Sequence, residues 1–154
     1  DIVYTSYGVL TWLDDIQLWA KIVASYIKTG GFFYIAEFHP IAMIFSDQIS
    51  SAEWQVGYDY FFKGPLVFDV NGSYADKEAK VEQAKSYEWQ HTLGDIVTAL
   101  INAGLRIEFL HEHDFTVYEM FPFLKEGPEG EWKTPDNLMK IPLMFSIKAI
   151  KDRE

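Results

Sequence analysis

Two apolar runs flanking an amphipathic stretch open the chain, and they narrow its fold more than any other feature. Asp1-Ile2-Val3-Tyr4-Thr5 reads as a buried strand already under way. From about Asp15 to Lys28, Ile16, Trp19, Ile22, Val23, Tyr26 and Ile27 recur with the helical period. Asp14 is placed to cap the start through its carboxylate, and Lys28 then Gly30 mark the end. Phe32 to Glu37 is short, apolar and aromatic-rich, as a strand covered on both faces should be. Strand, helix and strand at this spacing form a βαβ unit, with parallel strands and a right-handed crossover.

The same reasoning extends to the second half. Thr92 with Asp95 resembles a capping box, Ile96, Val97, Leu100 and Ile101 form an apolar stripe, and Gly104 stops the helix. Leu105 to Glu112 predicts a strand with Ile107, Phe109 and His111 on one face, and Ile141 to Ile150 a closing strand. Phe121 to Asn137, containing Gly and Pro, reads as a long loop. Between the halves, Ile41 to Phe45 predicts a short helix or a hydrophobic lid. The turn signals Gly64-Pro65 and Asn71-Gly72 predict an antiparallel excursion. Ala75 to Lys80 is charged and expected to be exposed, and Lys85 to Gln90 alternates, with Tyr87 and Trp89 on one face. The expectation is one α/β unit over residues 1–154 with an aromatic-rich insertion at 41–91.

Composition excludes several classes. Hydrophobic residues make up 49% of the 154, enough for one domain that buries roughly 70% of its unfolded surface, and too many for a disordered chain. The net charge of −10 argues against nucleic acid and against acidic membrane faces as partners. No apolar run reaches the ~20 residues that span a bilayer, and no signal peptide opens the chain, so a cytoplasmic location is expected. Without cysteine there is no disulfide, thiolate nucleophile or sulfur metal site. A chain that starts inside a strand predicts a fragment or a processed product.

Few residues stand out for chemistry. His111 and His113 sit two apart on a predicted strand, and a metal would need a third ligand such as His91 or His39; a polar strand end explains the pair better, and no metal is expected. No G-x-S-x-G elbow is present, and Gly30-Gly31 follows a helix C-terminus, where a phosphate would meet the negative end of the dipole. The aromatics Trp54, Tyr58, Tyr60, Phe61, Phe62, Phe68, Tyr74, Tyr87 and Trp89 exceed what a small core needs. They suit a small-molecule pocket or a subunit interface equally. His39 lies just past the carboxyl end of a predicted parallel strand, as Thr5, Ser6 and Tyr7 do after the first. Ligands of open α/β sheets bind outside those ends.

Asp1-Ile2-Val3, the helix ending Lys28-Thr29-Gly30-Gly31 and the strand Phe33 to Pro40 together resemble the second half of a class I S-adenosylmethionine-dependent methyltransferase. Tyr87 to Leu105 resembles the late helix and its approach, the next strand the sixth, and Ile141 to Ile150 the antiparallel seventh, with Pro142 at its start. The resemblance implies a partial Rossmann-like sheet of order 4-5-7-6 with the last strand antiparallel. The family's glycine-rich loop and ribose-binding acidic residue have no counterpart here.

By the same resemblance the cofactor is S-adenosylmethionine, approached by Thr5, Ser6 and Tyr7 with Trp12 near its adenine. His39, Tyr87, Trp89 and His91 are candidates for the acceptor pocket. His39 is the first choice for a base, because an imidazole titrates near neutrality. The acceptor expected is a small molecule. The uncovered edge of the first strand predicts a homo-oligomer or pairing with a missing N-terminal segment. The alternatives are a non-catalytic small-molecule-binding module and a sheet-completing interaction module.

Overall fold

The computed structural model describes residues 1–46, 54–70 and 84–152. Its main sheet contains β1 (Ile2–Thr5), β2 (Phe32–Phe38), β5 (Arg106–His113) and β9 (Met144–Ile150). Between them fall the hairpin strands β3 (Pro65–Val70) and β4 (Ala84–Trp89), and the two-residue strands β6 (Phe115–Thr116), β7 (Lys125–Glu126) and β8 (Trp132–Lys133). The main sheet runs β1-β2-β9-β5; β1 and β2 are parallel, and β9 is antiparallel to both neighbours. This is the 4-5-7-6 arrangement expected, with β9 in the seventh place.

Helices α1 (Ile16–Tyr26) and α2 (Leu93–Asn102) cover one face of the sheet. α1 connects β1 to β2 as the helical period required. Its cap is Asp15, not Asp14: the Asp15 carboxylate accepts the Leu18 N–H at 2.9 Å, and the helix closes at Tyr26, two residues before Lys28. Two adjacent aspartates both suit a cap, and periodicity alone does not choose between them. The α2 capping box forms as read, with Thr92 and Asp95 bonding each other's backbone N–H. Ala20, Val23 and Ala24 from α1, with Ile27 just after it, meet Ile96, Ala99 and Leu100 from α2 over Phe33, Ile35, Phe145, Ile147 and Ala149.

The opposite sheet face is aromatic and half open. Tyr4 stacks on Tyr34, Phe109 meets Tyr34 edge-on, and Phe109 stacks on His111. β1 is thus buried on one side only, with Ile2 63% and Tyr4 55% exposed, which corrects the reading of a fully buried strand. In β5 the register slips between Ile107 and Phe109. This bulge at Glu108 sends Ile107 and Leu110 to the helix-covered core while Phe109 and His111 turn to the open face. The expected shared face of Ile107, Phe109 and His111 is therefore split, since an extra residue reverses every later side chain.

The insertion contains a 3-10 turn at Ala42–Ile44 and the antiparallel β3–β4 pair. Asn71-Gly72 and Ala75 to Lys80 lie outside the described residues. The expected loop from Phe121 to Asn137 carries more order than read: its β7 and β8 join the preceding β6 in a small sheet, and Phe121, Phe123 and Leu124 join Ala42 and Leu143 in a second core. Pro142 precedes β9, so it removes no ladder hydrogen bond.

The Gly30-Gly31 pair has two separate reasons. Gly30 sits at φ 79° and donates its N–H to the Lys151 carbonyl. A Cβ on Gly31 would fall 2.5 Å from the Asp1 carbonyl oxygen and 2.9 Å from that of Lys28, both backbone atoms. Gly31→Ala is therefore expected to destabilise by about 2–4 kcal/mol. Gly104→Ala, at φ 83° with nothing within 4 Å, should cost only about 1–2 kcal/mol. Urea denaturation of the two variants would reveal this order, and equal losses would contradict it.

Candidate functional site

The carboxyl ends of β1 and β2 lie side by side because the strands are parallel, and the chain leaving β1 must turn across them. Glu37 holds that turn. It is the one charged residue in β2, is 3% exposed, and points into the helix-covered side. Its carboxylate accepts four backbone N–H groups: Gly8 at 2.5 Å, Val9 at 2.8 Å, Leu10 at 3.2 Å and Phe38 at 2.8 Å. Such bonds to an ionised acceptor are stronger than neutral ones and satisfy a charge that burial would otherwise penalise. Gly8 makes the turn at φ 72° with Phe38 against it, and the segment closes as a 3-10 turn at Leu10–Trp12.

Two connected hollows adjoin this turn. The inner one, about 60 Å³, is lined by Gly8, Leu10, Glu37, Met43, Trp89 and His91 among others. The outer one is a groove of about 530 Å³ between the β3–β4 hairpin and the sheet end, and it shares Thr11, Met43 and Gln90 with the first. Leu66, Phe68, Ser86 and Glu88 reach into the groove from the hairpin, and Phe45, Tyr58 and Tyr118 complete its wall. Leu66 pairs with Glu88 and Phe68 with Ser86 across the hairpin, so all four share one face.

The expected site residues distribute unevenly. Trp89 and His91 line the inner cavity. His91 Nε2 lies 2.6 Å from the Leu13 carbonyl and donates to it, which leaves Nδ1 as the acceptor of the neutral ring. Trp12 borders the groove and is 55% exposed, whereas Thr5 ends β1, Ser6 and Tyr7 follow it, and none of the three lines either hollow. Tyr87 stands on the outer hairpin face, half exposed, and lines neither hollow. Strand alternation puts Ser86 and Glu88, not Tyr87, on the groove side. Of the aromatic cluster, Tyr60 joins the inner cavity, and Trp54 packs into the second core beside Phe121 and Phe123. Tyr74 is outside the described residues.

His39 is buried under the sheet end, edge-on to Phe145, and lines neither hollow. Its Nδ1 accepts the Ile41 N–H at 3.1 Å, so the neutral ring carries its proton on Nε2. That nitrogen lies 2.9 Å from the half-exposed Glu112 carboxylate but off a hydrogen-bonding line. Both ring nitrogens are thus turned to the protein. Burial holds the imidazole below its ordinary value near 6.5, and Glu112 offsets only part of this. Glu37, Glu88 and Gln90 also line these hollows and were not singled out from the sequence. A lone carboxylate inside an apolar strand was the available signal for Glu37. Among the described residues, no three His, Asp or Glu side chains converge as a metal-ligand group, and no helix is long and apolar enough to cross a membrane.

The depressed His39 value fixes the sign of a pH effect. Below about 6.5 the unfolded chain binds a proton that the folded chain resists, so the stability contributed by His39 is present above that range and lost as pH falls through it. Between about pH 7.5 and pH 5.5 the parent chain should lose more stability in urea than His39→Asn does. Equal losses would remove His39 as the cause.

No family model and no curated protein matches the sequence. Solved structures do match. A proposed S-adenosylmethionine-dependent methyltransferase from Listeria monocytogenes superposes with TM-score 0.63 at 19% identity, over 99% of this chain and 61% of that one. An S-adenosylmethionine-dependent methyltransferase from Mesorhizobium loti gives 0.60 at 22% identity, over 97% and 60%. One from Methanosarcina mazei gives 0.52 at 17% identity, over 100% and 60%. The chain spans about three-fifths of the length of these structures, and at such identities the likeness is one of fold. This chain has the fold of the C-terminal portion of an S-adenosylmethionine-dependent methyltransferase.

Proposed function

We propose that this chain is the acceptor-binding portion of an S-adenosylmethionine-dependent methyltransferase that acts on a small molecule. The β1-β2-β9-β5 sheet, with a ligand-sized groove at the carboxyl ends of its parallel strands, carries this reading. The cofactor, when bound, supplies the methyl group. Thr5, Ser6, Tyr7 and Trp12 suit one wall of its site: Thr5 ends β1, which lies at the sheet's edge among the described residues, the others follow it, and Tyr7 and Trp12 are about half exposed. The inner cavity of about 60 Å³ is far below the ~300–1,000 Å³ of ligand pockets, so the remaining walls must come from polypeptide that pairs with β1. That polypeptide is a preceding segment or a second copy of the chain.

The acceptor lies in the groove, against the hairpin, with Trp89 and His91 at its inner end. His91, with Nδ1 available as an acceptor, replaces His39 as the imidazole suited to taking a proton. His39 instead packs the sheet end. Holding the acceptor still and dry is the chief contribution of such walls.

S-adenosylhomocysteine titrated calorimetrically, with solution mass measured alongside, tests the reading. Binding by a species larger than one chain, or by a protein carrying a preceding segment, is expected, and Trp12→Ala should weaken it about tenfold. Absence of binding in all of these forms would overturn it.

A further inference from the structure

We propose that the groove between the hairpin and the sheet end binds a small organic amine in its cationic form. The proposal deepens the reading above by naming what this groove holds. Its polar groups are dominated by acceptors. Glu88 receives two long hydrogen bonds, from Thr11 Oγ1 at 3.5 Å and Ser86 Oγ at 3.3 Å. Asp69 adds a second carboxylate to the lining. No lysine or arginine is among the described residues that line the groove or the inner cavity.

Gln90 supplies an independent observation. Its Nε2 donates to the Met43 carbonyl at 3.3 Å, which orients the amide, and its Oε1 is buried without a hydrogen-bond partner at the junction of the two hollows. A buried acceptor left unsatisfied is costly, and a ligand N–H would relieve it. The walls suit the same ligand. Phe45, Tyr58, Phe68, Tyr118 and Trp12 line the same groove as the carboxylates, and a cation against aromatic faces gains where an anion would lose. The net charge of −10 favours the approach of a cation as well.

The test uses 2-phenylethylamine, 2-phenylethanol and 3-phenylpropanoate, which share a ring and chain but differ in charge, each titrated into the chain by calorimetry. The amine should bind at least tenfold more tightly than the alcohol, and the propanoate should not bind. Glu88→Gln should weaken the amine about tenfold without changing the urea midpoint. Equal binding of all three, preference for the propanoate, or an amine affinity indifferent to Glu88→Gln would overturn the proposal. The ligand series on the parent chain decides the matter even if the variant fails to fold. Amine binding without S-adenosylhomocysteine binding would keep this assignment and count against the methyltransferase reading; the reverse pattern would do the opposite.

Discussion

A single buried carboxylate organises the end of the sheet where the two hollows lie. Glu37 is enclosed on the helix-covered side of β2, where an ion without partners would be untenable, and four backbone amides answer it. Three of those amides belong to the turn after β1. The turn therefore takes its shape from the need to satisfy Glu37 as much as from its own residues. The part of the hollows' border that the turn supplies follows from this. The 3-10 turn at Leu10–Trp12 is set in place, Thr11 reaches Glu88 on the hairpin, and Leu13 offers its carbonyl to His91. Contacts between that short turn and β4 join the hairpin to the sheet end.

The electrostatic character of the region is consistent with its shape. Acceptors outnumber donors around the groove, and several lysines of the described residues are engaged away from it. Lys28 pairs with Asp1 and Lys63 with Asp95. Lys148 lies against Glu108 and over the Phe32 ring on the open sheet face. Exposed pairs of this kind contribute little to stability. They do place positive charge away from the groove.

Much of the main sheet was legible in the residues, because its elements carry their own periodic signals. The βαβ opening followed from alternating run lengths and from the Lys28-Thr29-Gly30-Gly31 ending, and the α2 cap from Thr92 and Asp95. What escaped reading depends on partners distant in sequence. The bulge at Glu108 reveals itself only against β9, and a sequence read as a regular strand assigns the wrong face to Phe109 and His111. The small sheet of β6, β8 and β7 is built from pairs of residues too short to carry a period. Reading by position along the chain chose Trp89 and His91, which line the inner cavity. It also chose His39, whose ring is turned into the protein, and Tyr87, whose neighbour Glu88 holds the inward place.

The central position of β9 has a consequence for how the fold is reached. It is the last of the described strands in sequence, yet it lies between β2 and β5, and Gly30 and Gly31 at the start of β2 exchange hydrogen bonds with Lys151 just after it. Phe33 and Ile35 can be covered by the helices early, but their sheet is not closed until residues more than a hundred positions later arrive. Contacts so far apart carry a large loop-closure cost before they return any stabilisation, and they slow folding. During synthesis, β1, β2 and β5 must wait with open edges for the final strand to emerge. Completion of the sheet is then a late event that draws together both ends of the described chain.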